Sequence, residues 1–173
     1  ALDIVGAVVG IILFFPIMFV ASSWVKIISP RGPILADMPL RVGKDKKLFK
    51  LFKIRSMIPN AHELMLKDPA LRKLHRESGY KLDPDPRLLK GGKFIRKSSI
   101  DEMPQFFNVL LGHMSLVGPR AYFSHEVDER IKEFPKSKPL FKKAFSIKPG
   151  ITGPWQVGGR ATLTFMERIK LDA

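Results

Sequence analysis

Hydrophobic residues are concentrated near the start of the chain. Between Ile4 and Val25 there is no charged residue. As an α-helix rising about 1.5 Å per residue, this segment is about 33 Å long, enough to cross the hydrocarbon core of a membrane. It has neither a basic leader nor a small-residue cleavage site, which disfavours a removable signal peptide. The pattern therefore predicts a membrane helix.

Pro16 lies near the middle of this apolar segment. A proline ring clashes with the preceding turn and removes one helix hydrogen bond, so we expect the helix axis to bend there. A bent helix can return to the face it entered, but a spanning helix can also tolerate a proline, and the residues leave both topologies open. Between Lys26 and Arg55 there are nine basic and two acidic residues, which places this flank on the cytoplasmic side.

The rest of the chain alternates short amphipathic stretches with turns. Helices are expected over residues 60–67, 70–77, 127–134 and from Asp101 to near Gly112. The helix over 70–77 follows Asp68-Pro69, and we expect it to be capped there, with Pro69 at its first position. Residues 49–54 alternate apolar and basic positions, which fits either a half-buried strand or an element lying against lipid headgroups. The predicted fold class is α/β (α+β), mostly helical with few short strands. We expect residues 1–29 to form the membrane helix and residues 30–173 a small membrane-associated domain.

Charge narrows the choice of partners. Thirty Lys and Arg against sixteen Asp and Glu give a formal net charge of +14, which favours a nucleic acid, an anionic membrane surface or a phosphorylated substrate. The absence of cysteine excludes disulfides, thiol nucleophiles and cysteine-ligated zinc, and the four histidines show no close metal-ligand spacing. Any bound metal is therefore expected to have oxygen ligands.

Asp101 and Glu102 form an adjacent acidic pair between a basic run and an apolar helix. We predict that Asp101 caps this helix, with Pro104 at the third helical position and both carboxylates at the positive end of the helix dipole. Most such pairs only cap a helix. Here, nearby cations favour an ionised, nucleophilic carboxylate, and Glu102 can bind Mg²⁺ that shields substrate phosphate. The pair therefore predicts phosphoryl chemistry, with both acids as catalytic residues and metal ligands.

Several cationic and polar residues are candidates for binding a phosphorylated substrate. They are Lys53, Arg55, Arg87, Arg96, Arg120, Gln156 and Arg160. Arg120 closes a Gly-Pro-Arg loop and can form paired hydrogen bonds with a diphosphate, although a surface arginine in a turn more often has no such role. Lys53 and Arg55 share one side of an extended segment, a common arrangement that is weakly informative. Glycine-rich turns near Arg160 can wrap a phosphate, but they usually serve only the turn.

Six short motifs follow one another along the chain: Arg41–Gly43, Lys53–Met57, Asp85–Arg87, Ser99–Gln105, Met114–Arg120 and Pro149–Gly153. In this order they resemble the bacterial sugar transferases, the monotopic phosphoglycosyl transferases. The resemblance runs from Asp3 to Asp172. Its Asp-Glu and Gly-Pro-Arg blocks carry most of the specificity.

The resemblance implies an enzyme that uses Mg²⁺ to transfer a sugar phosphate from a UDP-sugar to undecaprenyl phosphate, a polyprenyl phosphate. The products would be a polyprenyl diphosphate sugar and UMP, in the first membrane step of bacterial glycan assembly. By the same resemblance, Asp101 would form a covalent phosphosugar intermediate and Glu102 would bind metal or activate the lipid phosphate. Arg96 and Arg120 would contact phosphate and nucleotide.

The family's membrane helix is re-entrant and broken at a proline. The resemblance therefore favours a hairpin at Pro16, with both ends at the cytoplasmic face of the inner membrane. The lipid bilayer is then a partner, a homodimer is allowed, and no nucleic acid is expected. The chain departs from the family pattern at Phe15, where serine is usual, at His113, where aspartate is usual, and at Ala121, which replaces the second proline of Pro-Arg-Pro.

A second hypothesis is a basic, non-catalytic membrane-associated protein that binds anionic lipid or nucleic acid. Such binding would weaken steeply with salt and would not depend on Asp101. Its basic residues, however, are not interleaved with stacking aromatic residues, as expected of a single-stranded nucleic-acid surface. The transferase is therefore the leading hypothesis.

Overall fold

The computed structural model describes residues 1–77, 82–158 and 163–173, and these are mostly helical with few short strands, as predicted. In chain order the helices are α1 (Leu2–Ile28), α2 (Ala61–Lys67), α3 (Pro69–Glu77), α4 (Gly92–Lys97), α5 (Gln105–Leu110), α6 (Ser124–Glu133), α7 (Lys138–Ala144), α8 (Pro154–Val157) and α9 (Phe165–Asp172). The strands are β1 (Arg41–Val42), β2 (Leu48–Phe49), β3 (Ser115–Val117) and β4 (Gly150–Thr152). Single 3₁₀ turns cover Lys44–Lys46, Ile100–Glu102 and Pro135–Ser137.

The chain divides into two compact units. Unit 1 comprises Ala1–Phe14, Pro39–Phe52 and Pro104–Ala173, and unit 2 comprises Phe15–Met38 and Lys53–Met103. The predicted division between residues 1–29 and 30–173 concerns which part lies in the membrane, and it stays a prediction.

The long apolar helix is confirmed. Helix α1 is assigned as one α-helix that includes Pro16. Large apolar side chains along it are exposed, among them Ile12, Leu13 and Phe19. Among the described residues it is the one helix long and apolar enough to cross a membrane.

Unit 1 has a core of aromatic and aliphatic side chains. Tyr122, Phe141 and Ile169 are almost completely buried, and the rings of Tyr122 and Phe141 meet edge to face with centroids 5.1 Å apart. Two short strand pairs lie in this unit: β1 pairs antiparallel with β2, and β3 pairs parallel with β4. Burial of this apolar surface stabilises the unit and holds the loop that follows β3.

Unit 2 packs the second half of α1 against two later segments. Met18, Ala21 and Val25 form a buried cluster with Ile54 and Ile95. These helix positions recur at intervals of three and four residues, which places them on one face of α1. Helix α1 thus has the apolar composition of a membrane helix, and one of its faces packs against protein.

The helices predicted over 60–67 and 70–77 match α2 and α3 closely, whereas α4, α7, α8 and α9 have no predicted counterpart. Asp68 Oδ1 accepts hydrogen bonds from the N–H groups of Ala70 and Leu71, so Asp68 caps α3 as expected, with Pro69 in the first position. The helix expected over 127–134 begins earlier, at Ser124. For residues 49–54, burial of Phe49 and Ile54 favours the half-buried alternative, in which β2 pairs with β1 and Ile54 forms a single antiparallel bridge with Leu35.

The predicted helix start at Asp101 is wrong. Asp101 lies inside the 3₁₀ turn Ile100–Glu102, and α5 begins only at Gln105, after Pro104. Pro104 has no N–H group to donate to a preceding carbonyl, so the α-helical hydrogen bonds of α5 begin only after it, although Met103 and Pro104 both keep helical backbone angles. The acids are therefore not held by a helix cap.

Candidate active site

The acidic pair is held against the extended segment that carries Lys53. The backbone N–H of Ile54 donates a hydrogen bond of 2.9 Å to the carbonyl oxygen of Asp101. Ser99, which precedes the 3₁₀ turn, adopts φ +58°, a left-handed conformation that costs free energy in a non-glycine residue. The long-range backbone contact thus fixes the turn and offsets the strain at Ser99, and strained backbone of this kind is common at functional sites.

Lys53 bridges the two carboxylates. Its Nζ lies 3.1 Å from Asp101 Oδ2 and 3.0 Å from Glu102 Oε1. Asp101 is 1% exposed, whereas the Glu102 side chain is 44% exposed. One acid is therefore enclosed and the other is open to solvent, so that the two can perform different tasks.

Burial raises the pKa of Asp101 above its ordinary value. The positive charge of Lys53 and its contact with the carboxylate oppose this shift, the charge of Glu102 adds to it, and the charge of Arg96 opposes it more weakly. Desolvation makes a carboxylate a stronger base and nucleophile, and Lys53 limits the loss of its ionised form. Of the two acids, Asp101 therefore has the surroundings that favour nucleophilic attack.

Two further predicted cations lie in unit 2. Arg96 is exposed in the last turn of α4 and is close enough for its charge to lower the pKa of Asp101 and Asp85. Arg87 is buried, and its Nε and Nη2 donate hydrogen bonds of 2.9 and 2.8 Å to the two carboxylate oxygens of Asp85. Burial alone would raise the pKa of Asp85, but Arg87 outweighs it and holds that pKa below the ordinary value.

Arg55 is also buried, 3% exposed, and ties down the turn after α1. Its Nε donates to the Pro33 carbonyl at 2.6 Å, Nη1 to Ser29 Oγ at 2.9 Å and Nη2 to the Ser29 carbonyl at 2.9 Å. These contacts are structural. Substrate binding by Arg55 and Arg87 stays a prediction that the contacts do not support.

In unit 1, Arg120 lies in the loop after β3. Its guanidinium carbon is 5.8 Å from the ring centroid of Tyr122 and 5.2 Å from that of Trp155, so the cation contacts two aromatic faces. Gln156 Nε2 donates to the Ile151 carbonyl at 3.3 Å. Arg160 lies outside the described residues.

The loop carrying Arg120 depends on close backbone contact. A Cβ atom on Gly118 would collide with the carbonyl of Lys148, and one on Gly153 would collide with the carbonyl of Gly118. Glycine at both positions lets the ends of β3 and β4 approach one another. The Gly-Pro-Arg and Gly-Ile-Thr-Gly motifs therefore meet at one place in unit 1.

Comparison with known proteins identifies the family. The sequence matches the family described as "Bacterial sugar transferase" over residues 1–173. The chain belongs to the bacterial sugar transferase family. As predicted from the motifs, this match spans the whole sequence, and together with α1 it indicates a membrane-associated protein.

Three individual relatives show how similar the chain is to named proteins. This bacterial sugar transferase is 41% identical over 99% of its length to the "Galactosyl transferase CpsE" of Streptococcus agalactiae. It is 39% identical, again over 99% of its length, to the "Undecaprenyl-phosphate galactose phosphotransferase" of Salmonella typhimurium. It covers 36% and 34% of those two proteins, so the chain spans about a third of their length. It is also 30% identical to "Exopolysaccharide production protein ExoY" of Rhizobium meliloti, over 98% of the chain and 73% of that protein.

The three residues that depart from the family pattern are either exposed or held by common packing and hydrogen-bond contacts. His113 is exposed, and its ring centroid is 5.6 Å from that of Phe49. Phe15 is 57% exposed on α1. Ala121 is buried, and its carbonyl accepts a hydrogen bond of 2.9 Å from Arg41 Nη1. None of these three residues introduces an unpaired charge into the unit that holds it.

The sequence did not single out two residues that organise these sites. Asp172 accepts hydrogen bonds from the Arg120 N–H and the Tyr122 hydroxyl. Asp3, in the first turn of α1, accepts from Ser115 Oγ and the Leu116 N–H, both at 2.9 Å. In the sequence, Asp3 is an acid at the start of an apolar stretch and Asp172 an acid after an amphipathic one, and solvated residues also produce both patterns.

The acidic pair fits a magnesium ion that is shared with substrate. Mg²⁺ is usually bound by one or two carboxylates together with substrate phosphates and water. Glu102 offers an exposed carboxylate beside the enclosed one of Asp101, whereas the described residues contain no cluster of three or more metal-binding side chains. A magnesium ion held by protein ligands alone would need more donors than this pair provides.

Proposed function

We propose that this protein transfers a sugar phosphate from a UDP-sugar to undecaprenyl phosphate, with Mg²⁺. The observation that carries the proposal is the enclosed Asp101 paired with Lys53 and next to the open Glu102, in a chain of the bacterial sugar transferase family. Relatives named for undecaprenyl-phosphate galactose phosphotransfer and for UDP-glucose:undecaprenyl-phosphate glucose-1-phosphate transfer, 39% and 38% identical, support this reaction.

In the proposed first step, an Asp101 carboxylate oxygen attacks the sugar-bearing phosphorus of the UDP-sugar. The bond from that phosphorus to the bridging oxygen breaks, and UMP leaves with the electron pair. In the second step, an oxygen of undecaprenyl phosphate attacks the same phosphorus and breaks the bond to Asp101. The carboxylate is regenerated, and the product is a polyprenyl diphosphate sugar.

Lys53 and Glu102 assist this chemistry in different ways. Lys53 is within ion-pairing distance of both acids, so its ammonium can pair with incoming phosphate while it still limits the pKa of Asp101. Glu102 would hold Mg²⁺, which supplies charge neutralisation at the substrate phosphates when bound. In unit 1, the guanidinium of Arg120 offers a planar fork for phosphate or nucleotide oxygens.

UMP release tests the proposed reaction. Detergent-solubilised protein is incubated with a panel of UDP-sugars, with and without undecaprenyl phosphate and Mg²⁺. We expect continuous UMP release only when lipid phosphate, Mg²⁺ and the correct UDP-sugar are all present, and chelation of Mg²⁺ should stop it. Folded protein that releases no UMP across a broad panel would refute the proposal and favour the non-catalytic binding alternative.

We also propose that α1 re-enters the cytoplasmic face of the bacterial inner membrane. Near its start, Asp3 is hydrogen-bonded to Ser115 and Leu116 in unit 1. Near its end, Trp24 Nε1 donates to the Lys90 carbonyl at 3.2 Å in unit 2. If α1 crossed the bilayer, the polar segments bonded to its two ends would lie on opposite faces.

Pro16 lies near the middle of α1, where a proline removes one helix hydrogen bond, and the resemblance to the family favours a re-entrant helix at this position. Both ends of α1 are therefore proposed to lie on one face, where the basic flank favours the cytoplasm.

Cysteine labelling tests this topology directly, since the natural chain has no cysteine. Leu2→Cys and Ile27→Cys place single thiols at exposed positions near the two ends of α1. We expect a membrane-impermeant maleimide to label both variants in inverted membrane vesicles and neither in intact spheroplasts. Labelling of the two positions from opposite sides would establish a spanning helix, with Lys136→Cys on the globular part as the reference for the cytoplasmic side.

A further inference from the structure

The loop of residues 118–123, here called the Arg120 loop, is tied to the end of α9 through one carboxylate oxygen. Asp172 Oδ2 accepts a hydrogen bond of 3.2 Å from the Arg120 N–H and one of 3.1 Å from the Tyr122 hydroxyl. Asp172 is 6% exposed. Residues on both sides of Ala121 are thus bound to a single buried acceptor.

The bond to Tyr122 also bears on the position of the Arg120 side chain. The Tyr122 ring is one of the two aromatic faces beside the Arg120 guanidinium. Because Tyr122 is 2% exposed and its ring packs edge to face against Phe141, its hydroxyl has no access to bulk water. Asp172 therefore fixes both the backbone of Arg120 and a ring that its cation contacts.

A second set of contacts, made by Arg41, holds the Arg120 loop at residues 121 and 123. Buried Arg41 donates from Nη1 to the Ala121 carbonyl at 2.9 Å, and its guanidinium lies 3.3 Å from the ring centroid of Phe123. Successive residues of an extended chain point in opposite directions. Asp172 accordingly meets residues 120 and 122, while Arg41 meets residues 121 and 123.

We infer that Asp172 is a positioning residue that holds Arg120 ready to bind the UDP moiety of the substrate. This inference rests on the proposed function. Alanine at position 121 restricts the backbone less than a proline would, so order in the Arg120 loop has to come from contacts such as these. Loss of the acceptor would leave a buried hydroxyl and a backbone N–H unpaired, and the loop would shift to hydrate them.

The required property is an acceptor oxygen, not a negative charge. Both groups bonded to Oδ2 are donors, and an asparagine side chain of almost the same shape also presents an oxygen acceptor. Burial raises the pKa of Asp172, while the bonds from Arg120 and Tyr122 oppose the shift. Asp172→Asn is therefore the conservative variant, and Asp172→Ala removes the acceptor.

The test compares kinetic constants for the two substrates with separate measurements of binding and stability. UMP release is measured while either the UDP-sugar or undecaprenyl phosphate is varied, and UMP binding is measured by calorimetry. Glu167→Ala is the matched control. Glu167 lies on the same helix and accepts hydrogen bonds from Thr164 at 2.7 Å in a capping box, so its loss destabilises α9 without touching the Arg120 loop.

We expect Asp172→Ala to raise the KM for the UDP-sugar and the Kd for UMP by about tenfold, as for a lost hydrogen bond in a charged binding site. The KM for undecaprenyl phosphate and kcat should change by less than about twofold, which is within ordinary variation for a site that is not contacted. Asp172→Asn should resemble the wild type. Glu167→Ala should lower Tm while leaving both KM values unchanged.

Three results would overturn the inference: unchanged UMP binding by Asp172→Ala, an equal rise in both KM values, or Asp172→Asn as impaired as Asp172→Ala. If Asp172→Ala fails to fold, Tyr122→Phe removes only the hydroxyl, and the same rise in UMP Kd, smaller in size, is expected. An unchanged Kd in that variant would also overturn it. Lack of activity in the wild-type protein would refute the proposed function instead, and the binding measurement keeps the two failures distinct.

Discussion

Replacing Asp101 with asparagine is expected to abolish turnover, lowering kcat by at least about 10⁴-fold, as is typical when a nucleophile is removed. Asparagine keeps the shape of the side chain but cannot form the acyl phosphate bond that the proposed mechanism requires. Stopped incubations with a radiolabelled UDP-sugar should show a covalently labelled protein for the wild type and none for Asp101→Asn.

The same variant should not lose stability at neutral pH. The pKa of Asp101 is raised in the folded state, chiefly by burial, so its ionisation above the unfolded pKa opposes folding. An uncharged amide removes that opposition, and we expect Tm at pH 7 to equal or exceed that of the wild type. Substantial turnover by a well-folded Asp101→Asn protein would contradict the mechanism, and Asp37→Asn, at an exposed acid, provides the control.

The sequence was sufficient for features that depend on neighbouring residues. The apolar run of α1 and the Asp68-Pro69 start of α3 each combine a local pattern with a local physical cause, and both were found where predicted. The acidic pair was also recognisable, because Asp101 and Glu102 are adjacent in a basic context. Its backbone setting was not, since Pro104 can either occupy the first turn of a helix or separate that helix from a preceding turn.

Long-range contacts could not be predicted in this way. Lys53 reaches Glu102 across 49 positions, and Asp172 reaches Arg120 across 52. The same limit explains Arg55 and Arg87. Sequence identifies them as cations, but only the fold shows that their donors are directed at a turn and at Asp85. A guanidinium can donate to a phosphate, a carboxylate or a backbone carbonyl, so the residue type alone does not reveal its partner.

Lys53→Met tests how the enclosed nucleophile is kept ionised. Burial raises the pKa of Asp101 and Lys53 opposes this, so the variant should have a still higher pKa at Asp101 and less of the ionised carboxylate at any given pH. On the acidic limb of the pH–rate profile, where the carboxylate is mostly protonated, we expect kcat/KM to fall by about 100-fold, since an opposite charge at this distance shifts a pKa by about 1–3 units. The acidic limb of the pH–rate profile should move to higher pH.

The pH profile separates this role from phosphate binding by the same ammonium. If Lys53 lowers the pKa of Asp101, part of the lost activity returns as pH rises, because the carboxylate ionises again. If Lys53 only binds phosphate, activity is lower by the same factor at every pH and the acidic limb does not move. Lys50→Met removes an exposed lysine three residues away and should leave both the rate and the profile unchanged. If the acidic limb does not move in Lys53→Met, then burial of Asp101, and not the charge of Lys53, sets the pKa of that carboxylate.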